Sequence, residues 1–204
     1  MSLPPVLPGE RKVADDLTAT SAATDGYQLN HTMLRVADAA RSLEFYTGFL
    51  GMSLVFRLNA GPFTIYYLGY PSTLDKVPMD MAKSLSSRSG LLELMHFHQP
   101  GPNDTRAQAT SENPGSDGRD GVVRGGFGHL GLVVPDVEQV LKRARQHGYV
   151  VLKEVSSTAG AALELSEVEN DALHRNFLTA FTQIGFLRDP DGYIIEVLPE
   201  AIKR

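Results

Sequence analysis

The most constraining feature of the sequence is an internal repeat: a strand, a helix and then several strands follow one another twice along the chain. Alternating and helical spacings of apolar residues mark these segments. In the first half they lie at residues 28–36, 39–50, 54–58, 63–70 and 91–97. In the second half they lie at residues 128–134, 137–146, 149–155, 184–187 and 193–198. A repeat at half the chain length predicts two modules of the same kind.

Turn and capping residues support these boundaries. Asp38 is suited to begin the first helix as its N-cap, and Gly51 is suited to end it. The Asp-Pro-Asp-Gly sequence at 189–192 lies between two strand runs, which predicts a hairpin at the end of the second module. We therefore expect one module over residues 27–100 and another over 125–204.

Three other stretches depart from the repeat. Residues 1–26 contain prolines, mixed charges and small polar residues without a sustained period, which predicts an N-terminal arm. Residues 101–124 are rich in Pro, Gly and Asp and are expected to link the modules. A helical insertion that could cover a cleft is predicted at about 156–180. The apolar residues that indicate it are Leu163, Leu165, Val168, Leu173 and Phe177.

Each module carries one histidine on its first strand and one glutamate on its last. These residues are His31 and Glu93, then His129 and Glu196. Taken singly, such residues are commonly hydrogen-bonded histidines and salt-bridged glutamates. Four of them at equivalent positions of a repeat instead indicate a metal site. Two imidazoles and two carboxylates suit zinc, nickel, cobalt, manganese or iron(II), with positions left for water or a chelating substrate.

Composition excludes several classes of function. A net charge of −5 argues against a nucleic-acid partner and against a polybasic membrane surface. The absence of cysteine excludes disulfides, thiolate metal ligands and a cysteine nucleophile. No apolar run approaches the length of a membrane-spanning helix, and no signal-peptide core is found, so we expect a cytoplasmic protein.

Four sequence motifs occur in a fixed order over most of residues 27–100 and 124–200. They are NHTMLRV with SLEFYTGFLGM, then LLELMH, GFGHLGLVVPDV and FLRDPDGYIIEVL. In this order they resemble glyoxalase I (lactoylglutathione lyase), of the vicinal oxygen chelate superfamily. The resemblance implies an α+β fold of two βαβββ modules, whose curved mixed sheets form a cleft that binds a divalent metal.

The resemblance also implies roles for individual residues. His31, Glu93, His129 and Glu196 match the family's metal ligands, for which zinc or nickel is the first expectation. Glu196 also matches the catalytic base, with Glu93 as the second catalytic carboxylate. Arg35 matches a residue that holds a carboxylate of glutathione, the expected co-substrate.

The implied reaction is an isomerisation. Methylglyoxal and glutathione form a hemithioacetal spontaneously, and the enzyme moves a proton from C1 to C2 to give S-D-lactoylglutathione. A metal stabilises the enediolate charge, and a base takes the proton. The aligned side chains of Phe63, Ile65 and Tyr67 would wall the pocket and exclude water, although core packing is the simpler explanation for any one of them.

Three departures from the family pattern bear on the substrate: two single positions, and the stretch from 156 to 182, which is longer than the family's usual short loop. Phe97 stands where the family has an Asn that helps to hold glutathione, and Gly125 stands where it has a second glutathione-binding Arg. Arg124, one place away, could substitute for that Arg, although a shift of one residue along a strand turns a side chain to the other face.

These departures leave other functions open. The main alternative is an enzyme of the same fold that acts on a different, non-glutathione carbonyl substrate as an isomerase, epimerase or lyase, for example in secondary metabolism. A protein that only sequesters a small molecule and an extradiol dioxygenase are further alternatives. The complete set of four candidate ligands argues against a sequestering protein. Extradiol dioxygenases use two histidines and one glutamate, which is one carboxylate fewer than this set. A monomer and a homodimer both fit the sequence.

Overall fold

The computed structural model describes residues 6–13, 22–98 and 126–202. Residues 22–98 form one unit, and residues 126–202 form another together with 6–13. Each unit contains one four-stranded mixed sheet, which confirms the predicted α+β class and the repeat. A helix that could cross a bilayer, which needs about 20 apolar residues, is not found in the described ranges.

The first module follows the predicted order of a strand, a helix and three strands. Its elements are β1 His31–Arg35, α1 Ala39–Leu43, β2 Ser53–Asn59, β3 Phe63–Gly69, α2 Pro78–Lys83 and β4 Leu91–Phe97. The sheet order is β1-β4-β3-β2, in which β1 and β4 are parallel and the other pairs are antiparallel. Helix α2 has no counterpart among the predicted elements.

The first helix is capped as predicted but changes its winding. The Asp38 carboxylate accepts hydrogen bonds from two backbone N–H groups of the first turn, at 2.9 and 3.1 Å. After α1 the chain continues as a π-helix, Glu44–Phe49, so the predicted extent of the helix is confirmed and its second half is more widely wound. Gly51 follows with φ +79°, a conformation that favours glycine at helix ends.

One face of the first sheet forms a core with this helical segment, and the other face carries His31 and Glu93. Side chains alternate along a strand, so Leu94 and Glu93 point to opposite faces of β4. The core side chains are at most 4% exposed; they are Leu34, Val36, Phe45, Tyr46, Phe49, Leu68, Leu92 and Leu94. Each large apolar side chain buried in this way contributes about 1.5–3 kcal/mol.

The second module repeats this plan. Its elements are β5 His129–Val134, α3 Val137–Gln146, β6 Val151–Lys153, α4 Glu167–Asp171, α5 Arg175–Phe181, β7 Gly185–Arg188 and β8 Ile194–Pro199. The sheet order is β5-β8-β7-β6, with the same pattern of parallel and antiparallel pairs. Strand β6 is shorter than the predicted strand over 149–155, and its pairing with β7 is irregular between Val151 and Lys153.

Helix α3 packs closely on one face of this sheet. A Cβ atom at Gly185 would lie 2.7 Å from Cδ1 of Leu141, so a larger residue there would force the Leu141 side chain to shift. Leu141, Leu187, Ile195 and Val197 are at most 1% exposed in this layer. The predicted hairpin between β7 and β8 is confirmed, because the Asp189 carboxylate accepts two backbone N–H groups of the turn at 2.9 and 2.8 Å.

The predicted insertion is helical, and it packs on the opposite face of the same sheet. It consists of a 3-10 turn, Gly160–Leu163, followed by α4 and α5. Its Ala162 and Phe181 form a buried cluster with Ile184 and Phe186 of the sheet region. The apolar pattern that predicts the insertion identifies this contact only in part. Leu163 packs against the cluster, whereas Val168 and Phe177 are 79% and 41% exposed, and the pattern omits Phe181, which is 1% exposed.

A buried lysine joins the insertion to the sheet. Lys153 Nζ donates hydrogen bonds to the carbonyl oxygens of Phe181 and Ile184, both at 2.7 Å, and of Glu154 at 3.0 Å. These three acceptors satisfy the three donors of an ammonium group. Burial lowers the pKa of Lys153 to about 8. Lys153 therefore fixes the C-terminal end of α5 against the sheet.

The described part of the N-terminal arm contacts the insertion. Asn176 Nδ2 donates a hydrogen bond to the carbonyl oxygen of Gly9 at 2.9 Å. Gly9 has φ +77°, and a Cβ atom there would overlap the ring of His174. This part of the arm therefore groups with the second module. The predicted linker over 101–124 lies outside the described residues.

Candidate metal centre

In the first module, His31 and Glu93 lie side by side on parallel neighbouring strands. His31 is in register with Leu91, so Glu93, two residues further on, points to the same face. Nε2 of His31 lies 3.3 Å from Oε2 of Glu93. The carboxylate is nearly buried at 11% exposure, and the imidazole is 36% exposed. The pair thus presents one nitrogen and one oxygen at an accessible face.

The second module places His129 and Glu196 in the same arrangement. His129 is in register with Ile194, and Glu196 again lies two residues further on. Nε2 of His129 is 3.2 Å from Oε2 of Glu196, and the two side chains are 36% and 19% exposed. The four predicted ligands therefore form two equivalent His–Glu pairs, one on each sheet.

Asn30 determines which nitrogen of His31 carries the proton. Its Nδ2 donates hydrogen bonds to the carbonyl oxygens of Leu85 and Arg88 at 2.9 and 2.8 Å. Its Oδ1 therefore faces Nδ1 of His31, at 2.9 Å, and accepts the Nδ1 proton. This leaves the lone pair of Nε2 directed toward Glu93, as a metal-ligating imidazole requires. Sequence reasoning missed Asn30, whose only signal is its place before His31.

Tyr67 places a hydroxyl group at the first pair. The hydroxyl is hydrogen-bonded to the Glu93 carboxylate and lies 3.3 Å from each ring nitrogen of His31. Burial, followed by the hydrogen bond with Glu93 and its charge, raises the pKa of Tyr67 to about 12. The phenol therefore remains a neutral donor at physiological pH. The sequence pattern predicts Tyr67 as an apolar wall residue and gives no sign of this hydroxyl contact.

The other predicted substrate contacts of the first module share the face of Glu93. Ile65 is in register with Met95, and Phe63 with Phe97, on strands β3 and β4. The rings of Phe63 and Phe97 are 5.6 Å apart. Arg35 is exposed at the end of β1, on the same face as His31. An apolar surface with one cation therefore lies beside the pair. Arg124 lies outside the described residues.

The donor chemistry of each pair fits a divalent metal. An unprotonated imidazole nitrogen and a carboxylate oxygen that face each other at 3.3 Å, as in His31 and Glu93, are both acceptors. Such a pair is stable with a cation beside it, either a proton or a metal. No group of three or more potential metal-ligating side chains occurs in the part of the chain that the structure describes. Each pair by itself therefore supplies two ligands.

Comparisons with known proteins agree with the fold and the repeat. Residues 28–197 match the model of the Glyoxalase/Bleomycin resistance protein/Dioxygenase superfamily. The lactoylglutathione lyase of Pseudomonas putida is 30% identical over 94% of this chain and 92% of that protein. The lactoylglutathione lyase of Pseudomonas aeruginosa is 28% identical over 89% of this chain and 87% of that protein. Homology to these proteins supports an enzyme, and a lyase in particular.

Solved structures of glyoxalase I also resemble this chain. The trypanothione-dependent glyoxalase I of Leishmania major is 25% identical, with a TM-score of 0.50 over 86% of this chain and 88% of that chain. Glyoxalase I from Zea mays is 18% identical, with a TM-score of 0.51 over 85% of this chain and 45% of that chain, which shows a likeness of fold. Because the family match spans both modules, the chain belongs to the Glyoxalase/Bleomycin resistance protein/Dioxygenase superfamily.

Proposed function

We propose that the protein is a metal-dependent glyoxalase I that converts the hemithioacetal of methylglyoxal and glutathione to S-D-lactoylglutathione. The observation that carries this proposal is the pair of equivalent His–Glu sites, at the same register positions of two repeated sheets. The lactoylglutathione lyases among its relatives support the same reaction.

The proposed cofactor is one divalent metal ion held by His31, Glu93, His129 and Glu196. Two imidazole nitrogens and two carboxylate oxygens suit zinc or nickel, and also cobalt, manganese or iron(II). When bound, the metal supplies positive charge that stabilises the negative charge developing on the substrate oxygens. Asn30 assists by keeping the Nε2 lone pair of His31 available.

The proton transfer is assigned to the glutamates. Glu196 takes the proton from C1 of the hemithioacetal, so the C–H bond breaks and an O–H bond forms on the carboxylate. The same carboxyl group then returns the proton to C2, and the hydroxyl proton moves from the oxygen on C1 to the oxygen on C2, which gives the thioester product and regenerates the base. Glu93 is the second carboxylate of the site. The apolar face of Phe63, Ile65 and Phe97 would exclude water from the reacting atoms.

Arg35 is the proposed contact for a glutathione carboxylate. A guanidinium group binds a carboxylate with two parallel hydrogen bonds, and Arg35 lies on the face that carries His31. Glutathione has two carboxylates, so a second cation is needed. Arg124 is the candidate that the sequence offers.

A second candidate function is the conversion of another carbonyl substrate without glutathione. The observation that favours it is the aromatic pair of Phe63 and Phe97, which lies on the site face where a polar contact to glutathione is expected. An enzyme of this kind would use the same metal ligands and the same base. Its substrate would carry an apolar group in place of the tripeptide.

The deciding experiment is an assay of the metal-loaded protein with the preformed hemithioacetal, followed by thioester absorbance. The proposal predicts turnover that a chelator abolishes and that zinc or nickel restores. A protein that binds metal but gives no thioester would contradict it. A parallel assay with apolar α-ketoaldehydes in the absence of glutathione tests the second candidate function, which requires turnover of such a compound.

A further inference from the structure

The two His–Glu pairs are equivalent in register but differ in what surrounds them. In the first sheet, Glu93 is in register with Tyr67 on its antiparallel neighbour. In the second sheet, Glu196 is in register with Phe186 on its antiparallel neighbour. Tyr67 and Phe186 therefore occupy the same place in the two modules. They differ by one hydroxyl group.

That hydroxyl group contacts both members of the first pair. The hydroxyl of Tyr67 lies 3.3 Å from each ring nitrogen of His31, and Tyr67 is directly opposite Glu93 in the register of β3 and β4, where its hydroxyl is the donor to that carboxylate. Its ring is held by two neighbours: Phe56 stacks on it at 4.9 Å, and His31 meets it edge-on at 5.3 Å. The donor is therefore positioned before any ligand arrives.

Phe186 offers the second pair only an apolar contact. Its ring meets the ring of His129 edge-on at a centroid distance of 5.8 Å. The residues before the two histidines differ in the same sense, because Asn30 is a hydrogen-bonding partner of His31 and Gly128 has no side chain. Among the described residues, the carboxylate of Glu196 has no side-chain partner other than His129.

We propose that Tyr67 is a positioning residue that fixes the His31–Glu93 pair, so that the site has one rigid half and one adjustable half. This inference rests on the proposed function for its catalytic consequence. A carboxylate that acts as a base must turn toward the substrate and accept a proton on an available lone pair. The hydroxyl of Tyr67 occupies a lone pair of Glu93 and restricts its rotation. Glu196 has no such restraint and is the carboxylate that can move.

The test removes the hydroxyl with Tyr67→Phe and uses Tyr66→Phe as the matched control. Tyr66 immediately precedes Tyr67 on β3, and its side chain points to the opposite face of the sheet. Two readouts need no turnover: the ring nitrogen resonances of His31 in the metal-free protein, and the affinity for nickel measured by calorimetry. We expect Tyr67→Phe to shift the His31 resonances and to weaken nickel binding by about 10-fold, and Tyr66→Phe to change neither. If Tyr67→Phe leaves either readout at its wild-type value, the proposal is overturned.

A third readout addresses the catalytic consequence. In the Glu196→Gln background, Tyr67→Phe releases Glu93 and is expected to raise the residual turnover by about 10-fold or more. An unchanged residual turnover would overturn the assignment of rigid and adjustable halves. Absence of turnover in the wild-type protein would instead contradict the proposed function, and the resonances and the nickel affinity would then decide the role of Tyr67.

Discussion

At the scale of single residues, the proposed chemistry requires a carboxylate that can both bind a cation and accept a proton. Glu196 fits this requirement, because its side chain is 19% exposed and its only described side-chain partner is His129. Glu93 is more deeply buried at 11% exposure, and Tyr67 is hydrogen-bonded to it. The two glutamates therefore share a register position but are expected to have unequal roles.

Glu196→Gln tests the assigned base. The amide keeps the shape and one oxygen ligand of the glutamate but cannot accept the substrate proton, so turnover should fall by about 10²–10⁴-fold. Metal affinity should fall much less. Thioester assays and calorimetry measure the two effects, and Glu138→Gln on the exposed surface of α3 is the control. Retention of full turnover by Glu196→Gln would show that the base is another group.

Asn30→Ala tests the support of the first imidazole. Without Asn30, His31 loses the partner that keeps its proton on Nδ1, so metal affinity should fall by about 10–100-fold. Gln28→Ala is a matched control, because Gln28 Nε2 donates to carbonyl oxygens of the same loop, at 2.8 Å for Ser86, and has no described contact with His31. Equal affinities of the two variants, measured by calorimetry, would contradict this role of Asn30.

The sequence predicts the two His–Glu pairs better than the residues that support them. His31, Glu93, His129 and Glu196 can be identified because the repeat places them at equivalent positions. The role of Asn30 depends on contacts with carbonyl groups 55 and 58 residues away, which no local pattern encodes. The hydroxyl contact of Tyr67 likewise depends on the pairing register of β3 and β4.

At the scale of elements, the insertion is the largest difference between the modules. It covers the face of the second sheet that carries Phe186, Ile194 and Leu198, which is also the face of Glu196. Apolar spacing is sufficient to predict helices there. It cannot predict which side of the sheet they cover, because that depends on the buried contacts of Phe181 and Lys153.

Phe181→Ala tests whether the insertion is an integral part of the second module. The ring is 1% exposed and packs against Phe177 and Phe186 at 5.1 and 5.9 Å. Its removal should lower the free energy of unfolding by about 3–5 kcal/mol. Phe177→Ala, at a residue that is 41% exposed, should cost distinctly less. Urea unfolding measures both, and similar small losses would show that α5 is not packed as described.

Lys153→Met tests the buried ammonium group through pH. Burial lowers the pKa of Lys153 from 10.5 to about 8. Between these values the unfolded chain binds more protons than the folded one, so this group makes the free energy of unfolding rise with pH. The difference in pKa corresponds to about 3 kcal/mol over that window. Below pH 8 the contribution is level, because both states are protonated.

The measurement for Lys153 is urea unfolding of both proteins from pH 7 to pH 10. The stability of the wild-type protein relative to Lys153→Met should increase over this range, since only the wild-type protein has the buried group. Lys142→Met, at an exposed position of α3, should show no such change relative to the wild-type protein. A constant difference between the wild-type protein and Lys153→Met would contradict the lowered pKa.

At the scale of the whole molecule, the chain contains the same strand and helix arrangement twice, and the two copies differ in detail. The two sheets have the same strand order, and each holds a His–Glu pair at the same register. The asymmetry comes from the side chains around the pairs and from the insertion. A repeat of this kind is visible in sequence spacing, whereas the contacts that distinguish its halves are not.

We propose that both pairs bind one divalent metal together, and calorimetric titration of the metal-free protein with nickel measures this binding. A shared site predicts one metal per chain, whether the protein is a monomer or a homodimer. It also predicts a loss of affinity of at least about 100-fold when either pair is removed, by His31→Ala with Glu93→Gln or by His129→Ala with Glu196→Gln. Two metals per chain, or an affinity that survives removal of one pair, would contradict it.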